Sequence, residues 1–258
     1  MTQQLARLFI ALALFALASP AYAAFPSVAG SCASTDTVSD TSHTIGLDCG
    51  GSFGTISAGN LLIVCWNGSA TDGTPNSAIT GFTLLREAIF GSASGHAVCL
   101  YKIATGSEGT SVTGSTDLAE RTSAIALRIT GWHGTTPPEV STGRNDASGG
   151  EAGNSPNPDA VTPSWGSADT LFIAYAGSDG VSTDFTVWPT NYGSNNVESA
   201  NSGEGRSAVG TRALTATSDD PGVYTTINST TRWGAMTIAV RPDPAAPPPT
   251  RPCCLGVF

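Results

Sequence analysis

A short apolar run that occurs twice limits what this chain can fold into. Ser57–Gly68 reads SAGNLLIVCWNG, and Ser167–Ser178 reads SADTLFIAYAGS. Ser57/Ser167, Ala58/Ala168, Leu61/Leu171 and Ile63/Ile173 hold the same relative places. Both runs are short and bounded by turn-forming residues, which favours a strand over a helix. Each reads as the central strand of one half of a β-sandwich.

The segments that follow repeat in the same order. Phe185-Thr186-Val187-Trp188 echoes Phe82-Thr83-Leu84-Leu85, and Ser207–Thr217 echoes His96–Thr105. Met236–Arg241 echoes Ala124–Arg128, and Gly193–Gly205 reads as a Gly/Asn/Ser loop. Ala24–Asp48 is polar with a strand-like patch at Thr44–Leu47, the pattern of an edge strand. Ser111–Val112 and Ser123–Ile129 read as two further strands. No helix is convincing after the first 23 residues, so the expectation is an all-β, two-sheet β-sandwich or jelly roll built from two pseudo-repeated halves. The halves span about 55–131 and 163–242, each contributing to both sheets, inside one domain over 24–242. Trp132–Pro158 is rich in Gly, Pro, Asn and Ser and reads as a linker or a long crossover.

The first 23 residues follow another logic. Arg7 supplies a positive start, Leu8–Ala18 an apolar stretch, and Ala21-Tyr22-Ala23 a small-x-small cleavage site. These are the parts of a secretory signal peptide, which makes the protein secreted, extracellular or at the cell surface. No later stretch is long and apolar enough to span a bilayer, so the mature chain is expected to have no transmembrane span. The six cysteines fit that address, since an even count in an exported chain suggests disulfides. Six cysteines allow fifteen connectivities. The pairing favoured is Cys32–Cys49, tying down the N-terminal segment, and Cys65–Cys99, across two core strands. Cys253 and Cys254 end a Pro-rich tail, 243–258, and either cross-link subunits or pair in a loose terminus.

Chemistry is sparse. The net charge is −9 with no basic run, which argues against nucleic acid and anionic membrane as partners. Gly50-Gly51-Ser52-Phe53-Gly54 matches G-x-S-x-G, but a strand follows it where a nucleophile elbow needs a helix, so it reads as a turn. His43, His96 and His133 read as surface or edge residues. Glu87 stands alone, while Glu198 and Glu204 lie in a Gly/Ser loop, so no carboxylate pair is laid out for glycoside hydrolysis. No zinc motif or dinucleotide fingerprint is present, and no cofactor is expected. The loops after the duplicated strands carry Asp72, Asp179 and Asp184, whose oxygens suit calcium or sugar hydroxyls and equally suit ordinary turns. Trp132 and Tyr192 read as exposed aromatics able to stack on a sugar face. Trp66 and Trp188 end core strands and read as packing.

The pattern ISAGNLLIVCW, ITGFTLL, HAVCLYKIATGSEGTSVT, SAIALRITG and PSWGSADTLFIAYAG resembles a loosely defined group of phage, prophage and bacterial surface β-sandwich proteins. The likeness covers about Thr55 to Arg241. It implies a virion fibre, decoration or surface-adhesion module, and it transfers no catalytic residue. With the leader, the expectation is an exported, non-enzymatic module that binds glycans or copies of itself. A virion fibre or decoration protein and a secreted glycoside hydrolase are the alternatives.

Overall fold

The computed structural model describes residues 24–68, 78–90, 95–145, 155–179, 185–201, 205–226 and 232–244. The protein is all-β, with two antiparallel sheets packed face to face. In chain order the strands are β1 (Ser27–Gly46), β2 (Leu61–Gly68), β3 (Ala78–Ile79), β4 (Thr83–Phe90), β5 (Gly95–Ile103), β6 (Ser111–Thr130), β7 (Glu139–Val140), β8 (Arg144–Asn145), β9 (Ala168–Asp179), β10 (Phe185–Val187), β11 (Ser194–Asn201), β12 (Gly205–Ala216), β13 (Thr225–Thr226) and β14 (Arg232–Val240).

The first sheet has the order β1-β6-β2-β5-β4, with β3 on β6; the second has β11-β12-β9-β14-β7, with β8 on β14. The duplicated runs are therefore the central strands, and each half keeps its strands in one sheet instead of sharing them between two. The order around the centre is the same in both. Cys65 of β2 pairs with Cys99 and Ile125, and Tyr175 of β9 with Val209 and Met236.

Burial explains the unbroken apolar runs. Every residue of β2 is buried, because both faces of that strand are covered. Leu61, Ile63 and Cys65 meet Leu171, Ile173 and Tyr175 in the core between the sheets. Leu62, Val64 and Trp66 face a second core on the far side of the first sheet. Phe172, Ala174 and Ala176 face a third, on the far side of the second sheet. Burying one such side chain contributes about 1.5–3 kcal/mol.

The covers of the two outer faces differ. The first sheet covers itself: β1 and β6 are single 20-residue strands with register shifts near Asp36–Ser42, so their far halves fold back over Trp66. Gly114 of β6 lies flat on the Trp66 ring, where a Cβ would come within 1.6 Å of it. Segments read separately as Ser111–Val112 and Ser123–Ile129 are thus one bent strand. The second sheet is covered by connections that carry Val161, Phe185, Tyr192 and Tyr224.

Three further expectations change. Phe185–Val187 is not a sheet strand like β4; it pairs with β13 in a separate two-stranded ribbon. The place beside β12 that corresponds to β4 is taken by β11, inside the stretch read as a loop. Its sequence, SNNVESAN, has no apolar alternation to reveal it. Trp132–Pro158 is not a linker, since β7 and β8 add to the edge of the second sheet and Trp132 bridges to Pro242.

Two disulfides, Cys32–Cys49 and Cys65–Cys99, join the pairs that the sequence favoured. They fit an extracellular, oxidising setting. No helix among the described residues is long and apolar enough to cross a membrane. The leader-like residues 1–23, Cys253 and Cys254 lie outside the described residues.

Candidate functional site

β2 and β9 run in the same direction, because Asn67 near the end of one donates from Nδ2 to the Ser178 carbonyl near the end of the other, 2.9 Å away. Gly68, Phe90, Gly95, Asp179, Asn201, Gly205 and Arg232 consequently all lie at one end of the sandwich. Each borders one of the connections 69–77, 91–94, 180–184, 202–204 and 227–231. Of the acidic candidates, Asp179 closes β9 opposite Arg232, while Asp72 and Asp184 lie outside the described residues.

Beneath this end is a polar cluster that the sequence reading missed. His96, on β5, is 3% exposed. Its Nδ1 is 2.9 Å from Glu87 Oε1 on β4, and its Nε2 is 2.7 Å from Glu120 Oε1 on β6. Burial alone would lower the His96 pKa. The hydrogen bonds and charges of Glu120 and Glu87 outweigh it and push the ring up to about 9. At neutral pH the ring is an imidazolium clamped by two carboxylates, with no vacant nitrogen for general-base chemistry. Gly68 makes room for the cluster; a Cβ there would lie 2.2 Å from both Glu120 Oε2 and His96 Nε2. The hairpin register held a clue, since Ile89 is opposite His96 and Glu87 opposite Val98. Glu87 and His96 are therefore diagonal neighbours. Glu120 carried no such local signal.

Between the sheets, a second polar group reaches the same end. Tyr175 Oη is 3.1 Å from Ser207 Oγ, which donates to the Ser123 carbonyl at 2.9 Å. A Cβ on Gly177 or Gly205 would collide with Asn67, at 2.9 Å from its Cβ and 2.5 Å from its Nδ2 respectively. Asn67 thus threads from one sheet to the other through a gap two glycines leave.

The aromatic candidates are placed differently from the expectation. Trp132 is 5% exposed and donates from Nε1 to the Gly59 carbonyl at 2.8 Å. Tyr192 is 1% exposed and donates to the Asp219 carboxylate, which also accepts from Arg212 at 2.8 Å. Neither ring has a face for a sugar. Both are pinned because a buried indole or phenol needs a hydrogen-bond partner. Trp66 is buried as expected, and Trp188 is half-buried.

His43 is also buried, with Nε2 3.0 Å from Thr116 Oγ1 and its ring edge-on to Trp66, so it is not a surface residue. His133 is half-buried and accepts the Thr136 N–H. Ser52 is spent on its own turn, donating to the Cys49 carbonyl. Glu87 lies on β4, beside β7 and β8, and residue 198 on β11, beside β1, at opposite lateral edges of the sandwich. Four strand spacings of about 4.8 Å separate such edges, so the two do not form the close carboxylate pair of a glycosidase. Glu204 lies outside the described residues. Among the described residues no group of three His, Cys, Asp or Glu is arranged to hold a metal ion.

No family model, curated protein or solved structure matches the chain.

Proposed function

We propose that this is an exported, non-enzymatic β-sandwich that binds through its loop-bearing end, to glycans or to copies of itself. The observation that carries the reading is the common direction of β2 and β9. It brings the ends of both duplicated strands, Gly68 and Asp179, to one end, and the segments that carry Asp72 and Asp184 start from there in the sequence. Sandwich folds place their binding loops in this way, on a rigid frame that holds them together. Export is supported by the leader-like first 23 residues and by the two disulfides.

A glycan array, run beside sedimentation of the purified protein under non-reducing conditions, tests the reading. Binding to a glycan class, or a concentration-dependent oligomer, is expected; either should weaken when Asp72 and Asp179 are changed to Ala. A monomer that ignores the array removes the proposal.

A further inference from the structure

The register makes the two sheets comparable residue by residue. In the first, Gly68 on the central strand is flanked by His96 and Thr122. In the second, Ser178 on the central strand is flanked by Arg206 and Trp233. Both rows lie one or two residues inside the loop-bearing end. The edge-strand acid also has a counterpart, with Glu87 opposite Val98 in one sheet and Glu198 opposite Ala208 in the other.

The difference lies in the inner acid. Glu120 supplies a carboxylate to the first row, and Gly68 leaves the space for it. Trp233 stands where Thr122 does, and two steps earlier the second half has Thr231 where the first has Glu120. In sequence a carboxylate gives way to a hydroxyl residue that lies outside the described residues, and two donors are added, the Ser178 hydroxyl and the Trp233 indole N–H. Ser178 is 0% exposed and Trp233 1% exposed, and neither Ser178 Oγ nor Trp233 Nε1 has a hydrogen-bond partner. Buried donors without an acceptor are strongly disfavoured. Arg206 adds a positive charge to the same row.

We propose that the Ser178–Trp233 pair receives a carboxylate from an acidic ligand, which takes the role that Glu120 plays in the first sheet. Ser178 puts its own Cβ where Gly68 leaves room, so the incoming oxygen meets its hydroxyl instead of filling that gap. The inference rests on the reading that this end binds, and it names the chemistry recognised: an acid carried by a sugar or presented as a free carboxylate.

The chain has five tryptophans, so the indole N–H signals can be resolved and the Trp233 signal assigned with Trp233→Phe. The full protein is titrated with sodium acetate and with sodium glucuronate, against sodium chloride at matched ionic strength. The expected result is a saturable shift of the Trp233 Nε1–H signal with either carboxylate, larger with glucuronate if the sugar ring is also held. Ser178→Ala should weaken it about tenfold, the loss expected of one hydrogen bond to a charged acceptor. That variant also keeps the test open if Trp233→Phe does not fold, because losing an unpartnered hydroxyl leaves the melting temperature unchanged or raises it. A signal that stays still, or that chloride moves equally, overturns the proposal and leaves a bound water only. A glycan-array hit with an unmoved Trp233 signal sinks this inference alone. A moved signal with a blank array and a monomer keeps the site and removes the glycan and assembly reading.

Discussion

At the end carrying Gly68 and Ser178, the first sheet is held by buried charge: His96 between Glu87 and Glu120, all three side chains 4% exposed or less. At the opposite end it is held by backbone turns. Gly59 donates to the Ala104 carbonyl, Ala104 to the Asn60 carbonyl, and Leu47 to the Thr110 carbonyl. A carboxylate there, Glu108, accepts from the Thr105 and Gly106 amides and lies 3.2 Å from Lys102. One end depends on a buried charge cluster drawn from three strands, the other on short-range pairing that the local sequence supplies, Glu108 included. Buried charge is stable only while every partner is present, whereas a turn tolerates the loss of one.

Removing a partner from the buried cluster should therefore have the largest effect. His96→Ala leaves two carboxylates facing one another out of water, and denaturant unfolding should show a loss of about 3–5 kcal/mol. A loss no greater than for a surface substitution would erase the contrast between the ends. Glycines sharpen it further. Gly68→Ala puts a methyl onto Glu120 and His96 and should cost about 1–3 kcal/mol as overpacking. Gly59→Ala meets nothing within 4 Å, so its penalty is only that of a positive φ of 86°, about 1 kcal/mol.

The pH dependence separates the ends by sign. His96 has its pKa raised from 6.5 to about 9 on folding. Its contribution is complete below pH 6.5 and is lost as pH rises through 9; by linkage it is on the order of 3 kcal/mol. Glu108 goes the other way. Burial would raise its pKa, but the Thr105 and Gly106 amides, the Thr105 hydroxyl and Lys102 lower it from 4.5 to about 2. Its contribution is present above pH 4.5 and is lost as pH falls through 2. Urea midpoints across pH should thus fall on both sides of a plateau. Glu120→Gln should flatten the alkaline arm, and Glu108→Gln the acid one. The Glu108 change should cost about 1 kcal/mol at neutral pH, as for loss of a cap and comparable with Gly59→Ala.

The same contrast explains what could be read from the sequence. Leu61–Trp66 and Leu171–Ala176 announce themselves because both their faces are dry, and a run apolar on both faces has few alternatives to a central strand. The disulfide partners were legible from the elements around them, since Cys65 and Cys99 sit in two strands expected in the core. β11 was not, because an edge strand has one row of hydrogen bonds to make and no need for apolar alternation. The bends in β1 and β6 come from register shifts that no residue type marks. The His96 cluster joins residues from three strands, and its acids look like ordinary surface glutamates until the register is known. Trp132 and Tyr192 misled for a related reason: aromatics beside Gly, Asn and His resemble exposed platforms, yet each had a hydrogen-bond acceptor far along the chain.

Ser27 pairs with Thr130 at the start of β1, and Val240 pairs with Leu171 at the end of β14. Both are at the end opposite Gly68 and Ser178. Both flanks of the described sandwich therefore lie at its base. Tethered by that base, the domain would stand like a post, with Gly68 and Ser178 toward the tip and both flanks of the sandwich at the foot. A tether of this kind can lengthen or shorten without altering what the tip presents.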